Sequence, residues 1–371
     1  MSSSPAVVLR PIDRFGIRVS AVLWFVLGIG FLLSVPVIVG WTAWAMAAIV
    51  AVAIVAALPM AWLMRRVFRW ARERSFIRIW VKAGFAALFV LGILVAAPVY
   101  YLLVTTESDP VVVPTVVMSN GKKTLVFQGM QHVGIERFYK AVVHDLENAL
   151  GDGFVLYYEG VNKSTPDADQ WFAQTRADGK DFGAGYRELG QICGLHYQND
   201  YFTLLAADMQ ARPALHVTAD VDTADLKREY DRLLAVDPTF AASMRSRDAA
   251  VARVNQAGAR RIAAFVSWQK KGTEEQKALA DIVCRGVMTV VMRRAMNDSS
   301  DPLTPVVLEF RNRELVRRIV EESRDKIYVT YGAAHVPGVI ALLQQRDAGW
   351  KVQSVKWMRP IEAPERSQGA L

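Results

Sequence analysis

This chain has little charge where a soluble protein would carry it. Three stretches, residues 19–40, 41–63 and 83–104, contain no charged side chain. About 20 apolar residues cross a bilayer, and buried helices of soluble domains rarely run so long uncharged. A three-span transmembrane anchor is therefore expected over residues 19–104. Its first apolar run exceeds the roughly 7–15 residues of a signal-peptide core, which argues against a cleaved signal. No ionisable residue interrupts a span, so nothing points to an ion or proton path.

Other scarcities narrow the function. The formal net charge is +8, yet residues 105–371 hold 34 basic and 34 acidic side chains. The basic excess lies beside the hydrophobic segments, so the pI of about 9.5 gives no argument for a nucleic-acid partner. Cys193 and Cys284 are the only cysteines; a disulfide between them and two buried thiols are both open. Neither has the setting of a nucleophile, and no G-x-S-x-G elbow occurs.

The Lys and Arg residues predict an orientation. Arg10, Arg14 and Arg18 precede the first span, and the loop at 65–82 holds seven basic residues against the single acid Glu73. Residues 1–18 and that loop are expected in the cytoplasm, and everything beyond Tyr101 outside it. Trp41 and Trp44, and opposite them Trp62, Trp70 and Trp80, suit interfacial belts. A polar, proline-marked linker follows at 105–114, then an α/β domain at 115–360 and a tail at 361–371.

The domain is organised around residues 124–160. A β-prone run ends near Gly129; a helix over about 134–150 places Ile135, Phe138, Tyr139, Val142, Val143, Leu146 and Leu150 on one face; and a second apolar strand ends at Glu159. In a parallel unit of this kind His132 and Glu159 share the edge where α/β sheets bind ligands. Before it, Asn120-Gly121 marks a β-hairpin. After it, the block at 166–301 is mostly helical, with Asp222/Thr223 as an N-cap and Thr273/Gln276 as a capping box. This block is expected to pack on a sheet face; a cap over the crevice is the alternative.

Near the end the pattern returns. A strand at 326–331 is followed by Gly332-Ala333-Ala334-His335, a short helix and a strand at 350–357. Strand, G-x-x-H, helix, strand thus occurs twice, which suggests two halves with facing edges. Glycine would permit a sharp exit from each strand, and each His would sit at a helix N-terminus, where the dipole favours the neutral imidazole that a base or metal ligand needs.

The two G-x-x-H motifs, Tyr158-Glu159-Gly160 and Arg311-Asn312 together resemble the TraB/GumN family, related to the Tiki metalloproteases and, more distantly, to erythromycin esterase-like and ChaN-like proteins. The resemblance covers roughly residues 114–360 and is loosest in the helical middle. It implies a Tiki-like, two-halved α/β domain; the three-span anchor is not part of the shared domain and is expected, on the placement of Lys and Arg, in a bacterial plasma (inner) membrane. The resemblance also implies a divalent-metal-dependent hydrolytic site formed by His132, Glu159 and His335, with Arg311 at the family's basic position.

Two imidazoles and one carboxylate suit Mn, Co, Fe or Zn. Arg311 and Arg313 would hold a substrate carboxylate or steady an oxyanion, solvated helix charge being the plainer alternative. His132 and His335 could equally be satisfied within their turns, and Glu159 could be a carboxylate at a strand end. His196, His216, Asp208 and Asp220 are further candidates, whereas His144 is expected to face solvent. The expected protein is a membrane-anchored, extracytoplasmic, metal-dependent hydrolase acting on peptides. The rival readings are a surface protein that captures a peptide, a metal or haem in the same crevice, and a structural partner of envelope machinery.

Overall fold

The computed structural model describes residues 11–177, 182–297 and 301–365. The chain divides into two compact units, residues 1–104 with 272–279 and residues 105–271 with 280–371. The ends of the expected cytoplasmic segment and tail, residues 1–10 and 366–371, lie outside the described residues, as do 178–181 and 298–300 of the helical block.

In the first unit, α1 (Pro11–Trp41), α2 (Ala43–Val67) and α4 (Phe76–Ser108) are long and apolar enough to cross a membrane, and a short α3 (Arg69–Arg72) lies between the last two. Large apolar side chains such as Phe25, Leu32, Val55 and Leu94 point outward, while Ala53, Ala57, Ala61 and Ala96 are buried. Small residues at the contacts are what helices in lipid use to approach closely. A Cβ on Gly30 would lie 2.7 Å from Ile93, and one on Gly92 would lie 2.7 Å from Ser34 Oγ. Trp44 and Trp62 are exposed, as belt residues should be. Trp80 instead donates its indole N–H to the Ile54 carbonyl at 3.1 Å. The side chain of Trp70 lies outside the described ones. Helix α4 continues to Ser108, so the linker expected at 105–114 is shorter than its composition suggests.

The second unit opens with the hairpin β1 (Val113–Ser119) and β2 (Thr124–Met130). Asn120 Oδ1 accepts from the Lys122 and Lys123 amides, and Gly121 takes a φ of 81° that an L side chain rarely adopts. There follow β3 (Val133–Gly134), α5 (Glu136–Gly151), β4 (Val155–Tyr158), α6 (Pro166–Ala177), α7 (Phe182–Cys193), β5 (His196–Tyr197), α8 (Gln198–Phe202), α9 (Ala206–Ala211), β6 (His216–Thr218) and α10 (Thr223–Val236). The chain closes with α11 (Pro238–Lys271), α12 (Glu274–Asn297), α13 (Arg311–Glu321), β7 (Lys326–Gly332), α14 (Val336–Arg346) and β8 (Lys351–Met358).

Six strands form one mixed sheet in the order β6-β4-β7-β2-β1-β8, and β3 and β5 form a separate two-stranded sheet. Strands β6, β4, β7 and β2 run parallel; β1 is antiparallel to both of its neighbours. Phe138, Tyr139, Val142, Val143, Leu146 and Leu150 of α5 cover one face. Leu315, Val316 and Ile319 of α13, with Val339 and Leu343 of α14, cover the other. The two repeated units are therefore not separate facing halves: both feed a single sheet. Strand β7, buried from Ile327 to Tyr331, is apolar on both sides and takes the central place, inserted between β2 and β4. Strand β8, exposed along most of its length, takes an edge.

Both expected caps form. Asp222 accepts from the Asp225 amide at 2.8 Å, and Thr273 and Gln276 exchange hydrogen bonds. The cysteines pair, joining the end of α7 to α12 across a sequence separation of 91. Chain-entropy arguments give a crosslink closing a loop of that length about 4.6 kcal/mol of stabilisation. Thermal melts of the full chain in detergent, with and without reductant, test this: the reduced protein and Cys193→Ser should both unfold at lower temperature, the two by similar amounts.

Candidate functional site

The sheet order brings three strand ends together. Met130 of β2 pairs with Gly332 of β7, and Tyr158 of β4 pairs with Thr330 of β7, so the carboxyl ends of three adjacent parallel strands open on one edge. His132 lies two residues beyond β2, Glu159 directly after β4 and His335 three residues beyond β7. This is the edge at which open α/β sheets bind ligands.

A fourth and a fifth element complete the cluster. The turn after β6 supplies Asp220, and a π-helical stretch at Pro305–Phe310 runs into α13, whose first two residues are Arg311 and Asn312. Arg311 donates Nε to Asp220 Oδ1 at 3.0 Å and Nη2 to both Asp220 Oδ2 at 2.5 Å and Glu159 Oε1 at 2.7 Å. Its guanidinium stands 5.5 Å above the Tyr331 ring, whose hydroxyl donates to the Ala219 carbonyl. The second oxygen of Glu159 accepts the Gly332 amide at 2.6 Å. His335 donates Nδ1–H to Asn312 Oδ1 at 2.6 Å, which leaves Nε2 as the bare nitrogen, 3.4 Å from Arg311 Nη1 and 3.7 Å from Glu159 Oε1.

These contacts set the charges. Burial alone would raise the Glu159 carboxyl, but the charge of Arg311, with smaller help from His335 and His132, brings it down to about 2. Burial and the adjacent Arg311 charge together lower His335 to about 4, so its imidazole is neutral at ordinary pH. Arg311 stays charged, since Glu159 and Asp220 outweigh the cost of its burial.

A cavity of about 260 Å³ opens above this cluster. His132, Glu159, Arg311 and Gln198 give it polar surface; Val161, Phe172, Tyr186, Leu226 and Val307 give it apolar walls. Phe172 of α6, Tyr186 of α7 and Leu226 of α10 come from the helical block, so that block walls the crevice rather than only packing on the sheet. The likeness between the two G-x-x-H motifs does not extend to the cavity: His335 is buried behind Arg311 and is not among the lining residues.

His132 differs from His335 in setting. It is followed by β3, and α5 begins only at Glu136, so His132 is not at a helix N-terminus. A hydrogen bond from the Ile135 amide to the Pro360 carbonyl and the pairing of β3 with β5 hold the chain extended there. His335 does cap a helix, α14. Gly129 lies inside β2 and has no left-handed φ; its need for hydrogen is steric, because a Cβ would lie 3.0 Å from the Pro114 carbonyl and 3.2 Å from Ala333 Cβ. The His132 ring lies 4.4 Å from Tyr186, and its Nδ1 is 3.1 Å from Gln198 Nε2. Gln198 is buried, yet its Oε1 has no hydrogen-bond partner among the described residues.

The other candidates lie elsewhere. Arg313 pairs with Glu229 at 2.9 Å and is not a lining residue. His216 bonds Asp208 at 2.7 Å and Tyr158 at 2.9 Å; His196 stands edge-on to Tyr201; His144 is exposed beside Asn148. Asp220 is the one further candidate that joins the cluster. Gln198 and Tyr186 carry no sequence signal that separates them from surrounding helix and loop residues.

Two imidazoles and a carboxylate are suitable metal donors. In this arrangement, however, Glu159 Oε1 and His335 Nε2 both face the Arg311 guanidinium, and among the described residues no group of three or more His, Cys, Asp or Glu is arranged to hold an ion. An ion would require Arg311 to give way.

The depressed His335 value carries a stability prediction. Between the ordinary imidazole value of 6.5 and about 4, the unfolded chain binds a proton at this residue that the folded chain does not. Stability should therefore fall as pH drops through that window, by about 2 to 3 kcal/mol between pH 7 and 4.5. Denaturant midpoints of the full chain in detergent at the two pH values should show that loss in the wild type and a smaller one in His335→Gln.

No family profile, curated protein or solved structure matches the chain, so the likeness to TraB/GumN proteins rests on its motif residues alone.

Proposed function

We propose that the outer domain is a hydrolase acting on peptide-like substrates in this crevice. The observation that carries the reading is the Arg311 cluster at the strand edge: a charged guanidinium and an ionised carboxylate held beside an imidazole at a cavity of small-ligand size. His132, which lines the cavity, takes the proton of an attacking water and returns it to the leaving amine. Glu159 steadies the resulting imidazolium, and the charge of Arg311, whose N–H groups are already engaged by Asp220, Glu159, Val307 and His335, stabilises the oxyanion through space. For Nε2 to be the basic nitrogen Nδ1 carries the proton, and the Gln198 amide turns its oxygen to Nδ1 to accept it. Asn312 and His335 hold the cluster from behind and are positioning residues.

One feature favours a peptide. The end of the buried Gln198 amide that faces away from His132 has no hydrogen-bond partner among the described residues, and with the oxygen turned to Nδ1 it presents N–H, a donor suited to a substrate carbonyl. Metal assistance is the second reading, favoured by His335, whose Nδ1–H is tied to Asn312 as the outer nitrogen of a metal-bound histidine usually is. With Arg311 drawn back from Glu159 and His335, these two residues and His132 would hold the ion, which would supply Lewis-acid polarisation of a carbonyl.

The membrane setting follows from three helices able to span it. We place the amino terminus in the cytoplasm and the catalytic domain outside, in a bacterial plasma membrane, on the placement of Lys and Arg. The Cys193–Cys284 disulfide supports this, since such bonds persist in oxidising compartments.

The full chain in detergent, offered a broad peptide library, should cleave it. His132→Ala should lower the rate at least about a hundredfold, the usual scale of a lost proton-transfer group. Gln198→Leu should raise KM more than it lowers kcat. Activity that survives chelation favours the acid–base form; activity lost on chelation and restored by Mn, Co, Fe or Zn, with bound ion missing from His132→Ala and His335→Ala, favours the metal form. Peptide binding without cleavage would replace the hydrolase by the capture reading.

A further inference from the structure

The anchor carries a second cavity, of about 410 Å³, lined by Trp62, Arg65, Arg66, Arg72 and Phe76. It lies where α2 ends and α4 begins, at the basic end of the spans. Arg65 and Arg66 form the last turn of α2. Arg72 folds back over that turn, donating Nε to the Arg65 carbonyl at 3.0 Å and Nη2 to the Arg66 carbonyl at 2.6 Å. The guanidinium of Arg65 stands 6.0 Å from the Phe76 ring centre, and that of Arg66 stands 5.3 Å from that of Trp62.

Charge at a span end is ordinary, because Arg side chains reach for the headgroup region. Convergence is not. Three guanidinium groups are fixed around one opening by backbone bonds and ring contacts, and no lining residue carries a carboxylate. Like charges so arranged repel unless an anion lies among them, and the guanidinium fork matches a phosphate's oxygens. The rim is apolar as well: Leu63, Val67 and Ile77 are exposed beside the cavity in sequence, on helices able to span a bilayer. A ligand with a phosphate at this level and hydrocarbon beside it satisfies both surfaces.

The geometry points to a binding site for the headgroup of an anionic phospholipid, its phosphodiester held by Arg65, Arg66 and Arg72 and its acyl chains along α2 and α4. The site is independent of the outer domain's chemistry.

The test is retention of added lipid by the full chain in detergent, read by native mass spectrometry. Phosphatidylglycerol is compared with phosphatidylcholine, and inorganic phosphate forms a third arm. The wild type should retain phosphatidylglycerol in preference to phosphatidylcholine. Arg65→Gln/Arg72→Gln should lower that preference at least about fivefold, the scale of one to two basic contacts with anionic lipid. Arg66→Gln, which keeps the bonds from Arg72 to the α2 carbonyls, gives a milder loss in the same direction and guards against misfolding of the double variant. Arg74→Gln/Arg78→Gln removes the same charge from the same loop outside the cavity and should bind as the wild type does. Equal losses in the two double variants, no preference for phosphatidylglycerol, or displacement of the lipid by matched inorganic phosphate would each overturn the assignment.

Discussion

The crevice of the second unit depends on one guanidinium. Arg311, at the start of α13, ties the residue after β4 to the turn after β6, and so fixes three separate chain segments against one another. Taking such ions from water costs several kcal/mol each, and only close pairing with further hydrogen bonds offsets it. The further bonds are present: Asp220 also accepts the Gly160 and Val221 amides, and Glu159 accepts the Gly332 amide. Removing Arg311 leaves two buried carboxylates without their partner, whereas removing either carboxylate leaves Arg311 paired with the other.

The same interaction connects fold to chemistry. Strand β7 is the centre of the sheet because both its faces are apolar, and its position brings the ends of β2 and β4 to either side of its own. Arg311 reaches across that edge from a helix on one face of the sheet, while α6, α7 and α10 enclose the cavity above it. The disulfide secures α7, which carries Tyr186 against His132. Each layer thus restrains a residue of the crevice through a different contact.

Much of this is legible in the residues. The uncharged stretches mark the spans, the stripe from Phe138 to Leu150 marks α5, and Asn120-Gly121 marks the hairpin, because each is a local pattern of period or turn chemistry. The strand ends at His132, Glu159 and His335 are likewise local. Strand order is not, since the insertion of β7 between β2 and β4 follows from burial on two faces, a property of the assembled sheet. The three-residue β6 is too short for alternation to show. Gln198 and Tyr186 enter the crevice only by folding of the helical block. The two histidines look equivalent from their motifs, yet one lines the cavity and the other lies behind Arg311, a difference made by Asn312 and by the extended chain at β3.

The central claim is that Arg311 both balances buried carboxylates and serves the crevice. Its most direct measurement is the unfolding stability of the full chain carrying Arg311→Met alone and together with Glu159→Gln and Asp220→Asn, with peptide binding followed in parallel. The single substitution should cost about 3 to 5 kcal/mol, the scale of a buried charge left unpaired. The triple substitution should recover most of that loss while peptide binding stays weak. A single substitution that leaves stability unchanged, or a triple variant no more stable than the single, would contradict the account.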